Sequence, residues 1–515
     1  MKKLPIGIST FSKIREDGYC YADKTRFIAQ LATNGTYFFL SRPRRFGKSL
    51  FIDTLKEAFS CNKKLFEGLA LEKNWNWEKP SPVISISFGG GVIKNREELD
   101  KKIHSLLDDQ FQKFEEQNQK ELISDRFADL IQKMHFQAGA TVTVLIDEYD
   151  KPILDNITAP DIAREIREGL KNFYSVIKDS DAHVRFCFLT GVSKFSKVSL
   201  FSGLNNLQDI SLDSRYSTLC GYTQHELETV FSEHLPGVDL VELKRWYDGY
   251  NFDGESIYNP YDILLYLDKR EFKNYWFETG TPTFLIDLLG RRHFLSPDLE
   301  NLLAGDALLG SFDVDQIEPE TLLFQTGYLT IKEKQQIGGA IMYELAFPNL
   351  EVKMSLTDHI LANLSGAPAV KDKTRSALFK ALMQGAPEGF RPIFHSFFAS
   401  IPHDWYRKNE LSGYEGYYAS IFYCYFTALG LEVIAEDTTN KGRLDMRVTL
   451  GNRIYIFEFK VVELTPAGLP LAQLKNKRYH EKYVTQGSEI FLIGIEFSKV
   501  DRNIVSFEYE KIGTV

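Results

Sequence analysis

The sequence predicts an α/β protein: a mostly parallel sheet with helices on both faces, a mainly helical middle region, and a smaller C-terminal α/β unit. Three observations lead there. Apolar runs of strand length at 36–40, 83–88, 141–146 and 184–190 alternate with helical stretches, as in a parallel sheet whose crossovers are helices. From about Gly221 the periodicity turns helical. Near the C-terminal end, two alternating segments flank Gly451-Asn452, a two-residue turn suited to joining antiparallel strands.

Composition narrows the class. At 515 residues the chain has room for several domains, and its 43% hydrophobic and 25% charged residues are ordinary for a globular protein. No apolar run approaches the ~20 residues of a membrane span, and MKKLPIGIST lacks an apolar stretch of signal-peptide length. The five cysteines are scattered, with no C-x-x-C pair. The expectation is a cytoplasmic protein without membrane contact, disulfide framework or structural zinc. A net charge of −9 does not advertise nucleic-acid binding, yet residues 1–60 carry +6 and the remainder −15. A basic surface is therefore expected near 41–49, as for a triphosphate site.

The elements follow in order. Strand 36–40 runs into SRPRRFGKSL (41–50), and a helix is expected from Leu50 to Phe59. Strand 141–146 ends in Asp147-Glu148, and strand 184–190 ends in Thr190. Thr223-Gln-His-Glu226 is a capping-box pattern opening a helix. Aromatic clusters follow at WYDGYNFDG (246–254) and YNPYDILLYL (258–267). Gly, Pro and Ala are frequent across 365–392, which reads as a linker. A helix to about Gly430 is then expected, with strands at 431–436, 444–450 and 453–462, a helix near 468–484, and strands at 489–497 and 504–510. The implied domains are 1–222, 223–400 and 401–515.

The loop at 41–50 matches the G-x-x-x-x-G-K-[ST] spacing except that Arg42 stands where the first glycine belongs. A strand, a short loop and a helix N-terminus still form an anion site, because free amides and the helix dipole face the ligand. Gly47 gives the loop its backbone freedom, Lys48 reaches outer phosphates, and the Ser49 hydroxyl suits Mg²⁺. Asp147 supplies a second Mg²⁺ contact, and Glu148 can orient or deprotonate the attacking water. Thr190 or Ser193 could touch the γ-phosphate or that water. Arg42, Arg44, Arg45 and Arg215 are candidate phosphate contacts, since guanidinium matches phosphate geometry.

GYCYADKT (18–25), SRPRRFGKSL, VLIDEYDKP (144–152), LTGVSKFSKVSLFSGLNNLQDIS (189–211), YDGYNF (247–252) and IYNPYDIL (257–264) resemble the bacterial AAA-ATPase-like family. Its members characteristically have RPRRFGKS where other phosphate loops carry the extra glycine. The resemblance covers about the first 280 residues. It implies an ATP site with Mg²⁺, completed either by a neighbour's arginine in a homo-oligomer, with Arg215 the candidate, or by an arginine in cis within a monomer.

The second constellation is GRLDMRVTLGNRIYIFEFKV (442–461). If Gly451-Asn452 is the turn, Leu450 pairs with Arg453, and counting back sets Asp445 opposite Glu458 with Lys460 on the same face. Opposed carboxylates repel; a divalent metal removes the conflict, and Mg²⁺ prefers such oxygens. Lys460 can then activate a water or stabilise a pentacovalent phosphate. The pattern resembles the PD-(D/E)XK nuclease superfamily over about 405–515. That resemblance implies a helix glutamate near the metal, matched by Glu415, and a glutamine after the lysine, matched by Gln473 in LAQLKNKRYHEKY (471–483). Ser412-Gly-Tyr-Glu415 is also a capping-box pattern, which offers Glu415 another role. FQTGYL (324–329) is family-like, with no assignable chemistry.

The expected function is an ATP-binding and hydrolysing protein coupled to Mg²⁺-dependent cleavage of nucleic-acid phosphodiesters, with DNA favoured over RNA. The alternative is a nucleotide-dependent switch that binds protein or nucleic acid without cutting it, as in host defence.

Overall fold

The computed structural model describes the whole chain apart from residues 117–119, 196–199, 201–203, 205, 278–298, 301, 310–317, 366–367, 402–414, 440–441, 485–486 and 513–515. The chain forms two compact units. One comprises Met1–Thr279 and Leu302–Asn349, the other Gly280–Asn301 and Leu350–Val515.

The first unit is built on β1 (Tyr37–Ser41), β2 (Val83–Ser87), β3 (Val142–Asp147), β4 (Val184–Gly191) and β5 (Gln208–Asp209), in the order β2-β3-β4-β1-β5. Every pairing is parallel. All residues of β1 and β3 are buried, so the sheet is covered on both faces, as continuous apolar strands require. The helices Lys48–Phe59, Arg96–Lys113, Ile123–Ala138 and Pro160–Asp179 supply crossovers. The Thr223–Glu226 capping box forms as its residues predict. Further on, β6 (Leu302–Gly305), β7 (Thr330–Ile337) and β8 (Ala340–Ala346) make a small antiparallel sheet in the order β6-β8-β7. Among its described residues, the mainly helical middle therefore contains three strands.

In the second unit, β9 (Glu432–Ala435), β12 (Met446–Leu450), β13 (Arg453–Val462), β14 (Glu489–Ser498) and β15 (Asn503–Ile512) form a mixed sheet in the order β15-β14-β13-β12-β9. Only β13–β14 is parallel. Short β10 (Thr438–Thr439) and β11 (Gly442–Arg443) pair with each other. One sheet face packs Tyr455, Phe457 and Phe459 against the helices Phe390–Ser400 and Glu415–Ala428. The other face carries Ile454 and Ile456 against Leu444, Leu474 and Tyr479.

The linker expected at 365–392 is not one. A helix spans Pro368–Gln384 and another begins at Phe390, with Leu378, Leu382 and Phe390 fully buried. The punctuating residues mark helix ends: Pro368 is the first helical residue, and Gly385 follows the last with φ +63°. The helix expected over 468–484 stops at Lys477; Arg478 turns left-handed (φ 51°) into a 3₁₀ turn, Tyr479–Lys482.

Candidate functional sites

Gly47 ends the loop after β1 with φ +91°, a backbone that favours glycine, and so opens the helix Lys48–Phe59. Beside it lies a cavity of about 680 Å³ lined by Arg44, Arg45, Gly47, Lys48, Ser49, Glu148 and Asp150. The Lys48 ammonium donates to the carbonyls of Arg42 and Pro43, both at 2.9 Å. Burial pushes its pKa down, and Asp147 is the strongest of the anions that oppose the shift. Arg45 is left-handed (φ 69°), and its guanidinium sits 4.7 Å over the Tyr261 ring. Glu148, also left-handed (φ 52°), brings its carboxylate against Gly89, where a Cβ would meet it at 3.2 Å. Asp147 is buried at the end of β3, outside the cavity lining.

Three expected contacts lie elsewhere. Arg42, 1% exposed, points away: its guanidinium donates to the carbonyls of Ser41 (2.9 Å), Ser211 (2.7 Å) and Tyr216 (3.3 Å) and stacks 4.0 Å over Phe252. It occupies the glycine's place as a strut behind the loop. Thr190 is absent from the cavity lining and donates its hydroxyl to Leu40's carbonyl at 2.9 Å, bracing β4 to β1. Arg215 is 66% exposed on its side chain, also absent from the lining, and forms a forked pair with Asp213. Sequence reasoning left Asp150 without a role. It is buried, and its carboxylate accepts the amides of Val192 and Ser193. Burial raises its pKa to about 6 although those amides pull downward.

In the second unit, Leu450 pairs with Arg453 and the ladder runs to Met446–Phe457. Asp445 and Glu458 stand one step past that last pair. Asp445 accepts the Phe459 amide at 2.8 Å. Gln473 donates to Glu458 Oε1, while buried Oε2 lacks a well-formed hydrogen bond. Burial first, then the Asp445 charge, raises Glu458 to about 8; burial raises Asp445 to about 6. The Lys460 ammonium reaches Glu415 Oε1 at 3.0 Å, so Glu415 enters this cluster through the lysine. The other half of its capping pattern, Ser412, lies outside the described residues. Among the described residues, no group of three or more His, Cys, Asp or Glu could hold a metal ion by itself. The bare Oε2 and two acids that resist joint ionisation fit a divalent cation that keeps water or substrate oxygens as further ligands. None of the described helices is long and apolar enough to cross a membrane.

Comparison with known proteins agrees with this division. A family described as "Predicted AAA-ATPase" matches residues 5–201, and the PD-(D/E)XK nuclease superfamily matches residues 413–507. A protein of Azotobacter chroococcum mcd 1, described as "Uncharacterized protein in vnfD 5'region", is 56% identical over 513 residues, 99% of each chain.

Proposed function

Because the chain belongs to the AAA-ATPase-like family and carries a PD-(D/E)XK nuclease superfamily domain near its C-terminal end, we propose that it binds and hydrolyses ATP and uses the nucleotide to govern cleavage of a nucleic-acid phosphodiester. The observation that carries this reading is the presence of two separate phosphate-chemistry constellations. One is a loop lysine sharing a cavity with Glu148; the other sets buried Glu458 and half-buried Asp445 beside Lys460. DNA is the favoured substrate.

At the nucleotide site, Lys48 exchanges the carbonyls of Arg42 and Pro43 for phosphate oxygens, and the first amides of its helix face the same anion. Glu148 orients the attacking water and accepts its proton. Ser49 would hold one Mg²⁺ directly, with Asp147, outside the cavity lining but the strongest anion acting on Lys48, joining through a water; Asp445 and Glu458 would hold another. When bound, Mg²⁺ neutralises charge on the phosphate oxygens and lowers the pKa of a coordinated water. At the second site, Lys460 supplies positive charge to the scissile phosphate while Glu415 fixes its direction. Gln473 fixes Glu458.

A second reading, a switch that binds without cutting, draws on the same contacts: Glu415 already occupies Lys460, and Gln473 one oxygen of Glu458. The nucleotide half is tested by titrating a fluorescent ATP analogue with Mg²⁺. Lys48→Ala should weaken binding by about tenfold or more, while Glu148→Gln keeps affinity and stops turnover. Parent-like affinity in Lys48→Ala would remove the phosphate-loop assignment.

A further inference from the structure

Asp147-Glu148-Tyr149-Asp150 holds three acids, and the third has no part in the chemistry above. Asp150 is 1% exposed, and its carboxylate is spent on the chain that leaves β4. Oδ2 accepts the amides of Val192 at 3.0 Å and Ser193 at 2.6 Å, and Oδ1 lies 3.3 Å from the Val192 nitrogen. Tyr149 adds three bonds to the same segment. Its amide donates to the Thr190 carbonyl (3.1 Å), its hydroxyl donates to the Ser193 carbonyl (2.9 Å), and that hydroxyl accepts the Phe195 amide (3.2 Å). Gly191 makes the close approach feasible, since a Cβ there would lie 2.3 Å from Asp150 Oδ1 and 2.6 Å from the Tyr149 ring.

The two residues after Glu148 are thus fastened to the end of β4. Glu148 itself has φ +52°, a backbone that residues other than glycine adopt sparingly and that persists where neighbouring structure over-determines it. The clasp at 149–150 does so, and the carboxylate of Glu148 faces the cavity that also holds Lys48.

We propose that Asp150 is a positioning residue for ATP hydrolysis: by clamping Val192 and Ser193 it holds Glu148 in the left-handed backbone that presents its carboxylate to the nucleotide cavity. This rests on the nucleotide reading above. Asp150→Asn keeps the shape, removes one acceptor and turns an amide NH₂ toward a backbone N–H. It should lower kcat by about tenfold or more while the Kd of a fluorescent ATP analogue stays within about twofold. Placed in Glu148→Gln, it should change the residual single-turnover rate by less than about twofold, because its effect passes through Glu148. Gly191→Ala, which presses on the same carboxylate from β4, should give the same separation of turnover from affinity. It carries the comparison should Asp150→Asn not fold. Joint loss of affinity and turnover, unchanged turnover, or a further tenfold loss in Glu148→Gln would each overturn the proposal. A parent protein that fails to hydrolyse ATP would instead remove the nucleotide reading, and this proposal with it.

Discussion

Glu458→Gln should make the second unit more stable, and only above mild acid. Burial and the neighbouring Asp445 raise the Glu458 carboxyl from 4.5 to about 8, so the folded chain keeps a proton that the unfolded chain releases. Stability arising from this group is therefore full below about pH 4.5, is lost as pH rises toward 8, and levels off above. At about 1.4 kcal/mol per pKa unit, the loss by pH 8 is on the order of 4 kcal/mol. Glutamine is nearly isosteric, can still accept from Gln473, and never ionises. Urea unfolding of the full chain at pH 5 and pH 8, in EDTA, reads the difference. The variant should exceed the parent by about 2–4 kcal/mol at pH 8 and match it within about 1 kcal/mol at pH 5. Saturating Mg²⁺ or Mn²⁺ should raise the parent's stability at pH 8 and leave the variant nearly unmoved. A variant less stable than the parent at both pH values would show that Glu458 is an ordinary paired carboxylate. Asp445 and Glu458 would then not form a metal site.

Two further outcomes follow from the first unit. Arg42→Ala removes a buried guanidinium that serves three carbonyls, so it should destabilise that unit by about 2–4 kcal/mol in urea unfolding, with nucleotide affinity restored when folding is restored. If Arg215 completes a neighbour's site, Glu148→Gln with Mg²⁺ and ATP should assemble in mass measurements, and Arg215→Ala should lower turnover without lowering single-chain nucleotide affinity. A strict monomer under those conditions removes the role.

Local rules made much of the fold readable. The four longer strands of the first sheet are rich in apolar residues, whereas β5, Gln208–Asp209, is polar and gave no such signal; the capping box needs only Thr223 and Glu226, and the Gly451-Asn452 turn leaves one register for β12 and β13. Where a side chain's partner comes from far along the chain, the sequence is silent. Arg42 reads as a phosphate ligand until Ser211 and Tyr216 are seen to take its guanidinium, and Thr190 reads as a contact for the γ-phosphate or the attacking water until its hydroxyl is found on Leu40. Asp150 received no role because its amide partners lie more than forty residues away. The segment 365–392 misled for a local reason: Gly and Pro there punctuate helix ends, and the buried Leu378 and Leu382 between them were outweighed. The β7–β8 hairpin escaped notice because TIKEKQQI exposes most of its side chains, leaving little apolar alternation to read.

The central claim, two separate hydrolytic sites in one chain, is tested most directly by following nucleic-acid cleavage and ATP hydrolysis in the same reaction. Parent and Lys460→Ala would each be given single- and double-stranded DNA and RNA, with and without ATP, in Mg²⁺ or Mn²⁺. The account predicts metal-dependent cutting by the parent, preferentially of DNA and altered by ATP. In Lys460→Ala it predicts no cutting but ATP turnover within about twofold of the parent and retained nucleic-acid affinity, since backbone binding is spread over many contacts. Cutting that survives Lys460→Ala, or ATP turnover that disappears with it, would contradict the account.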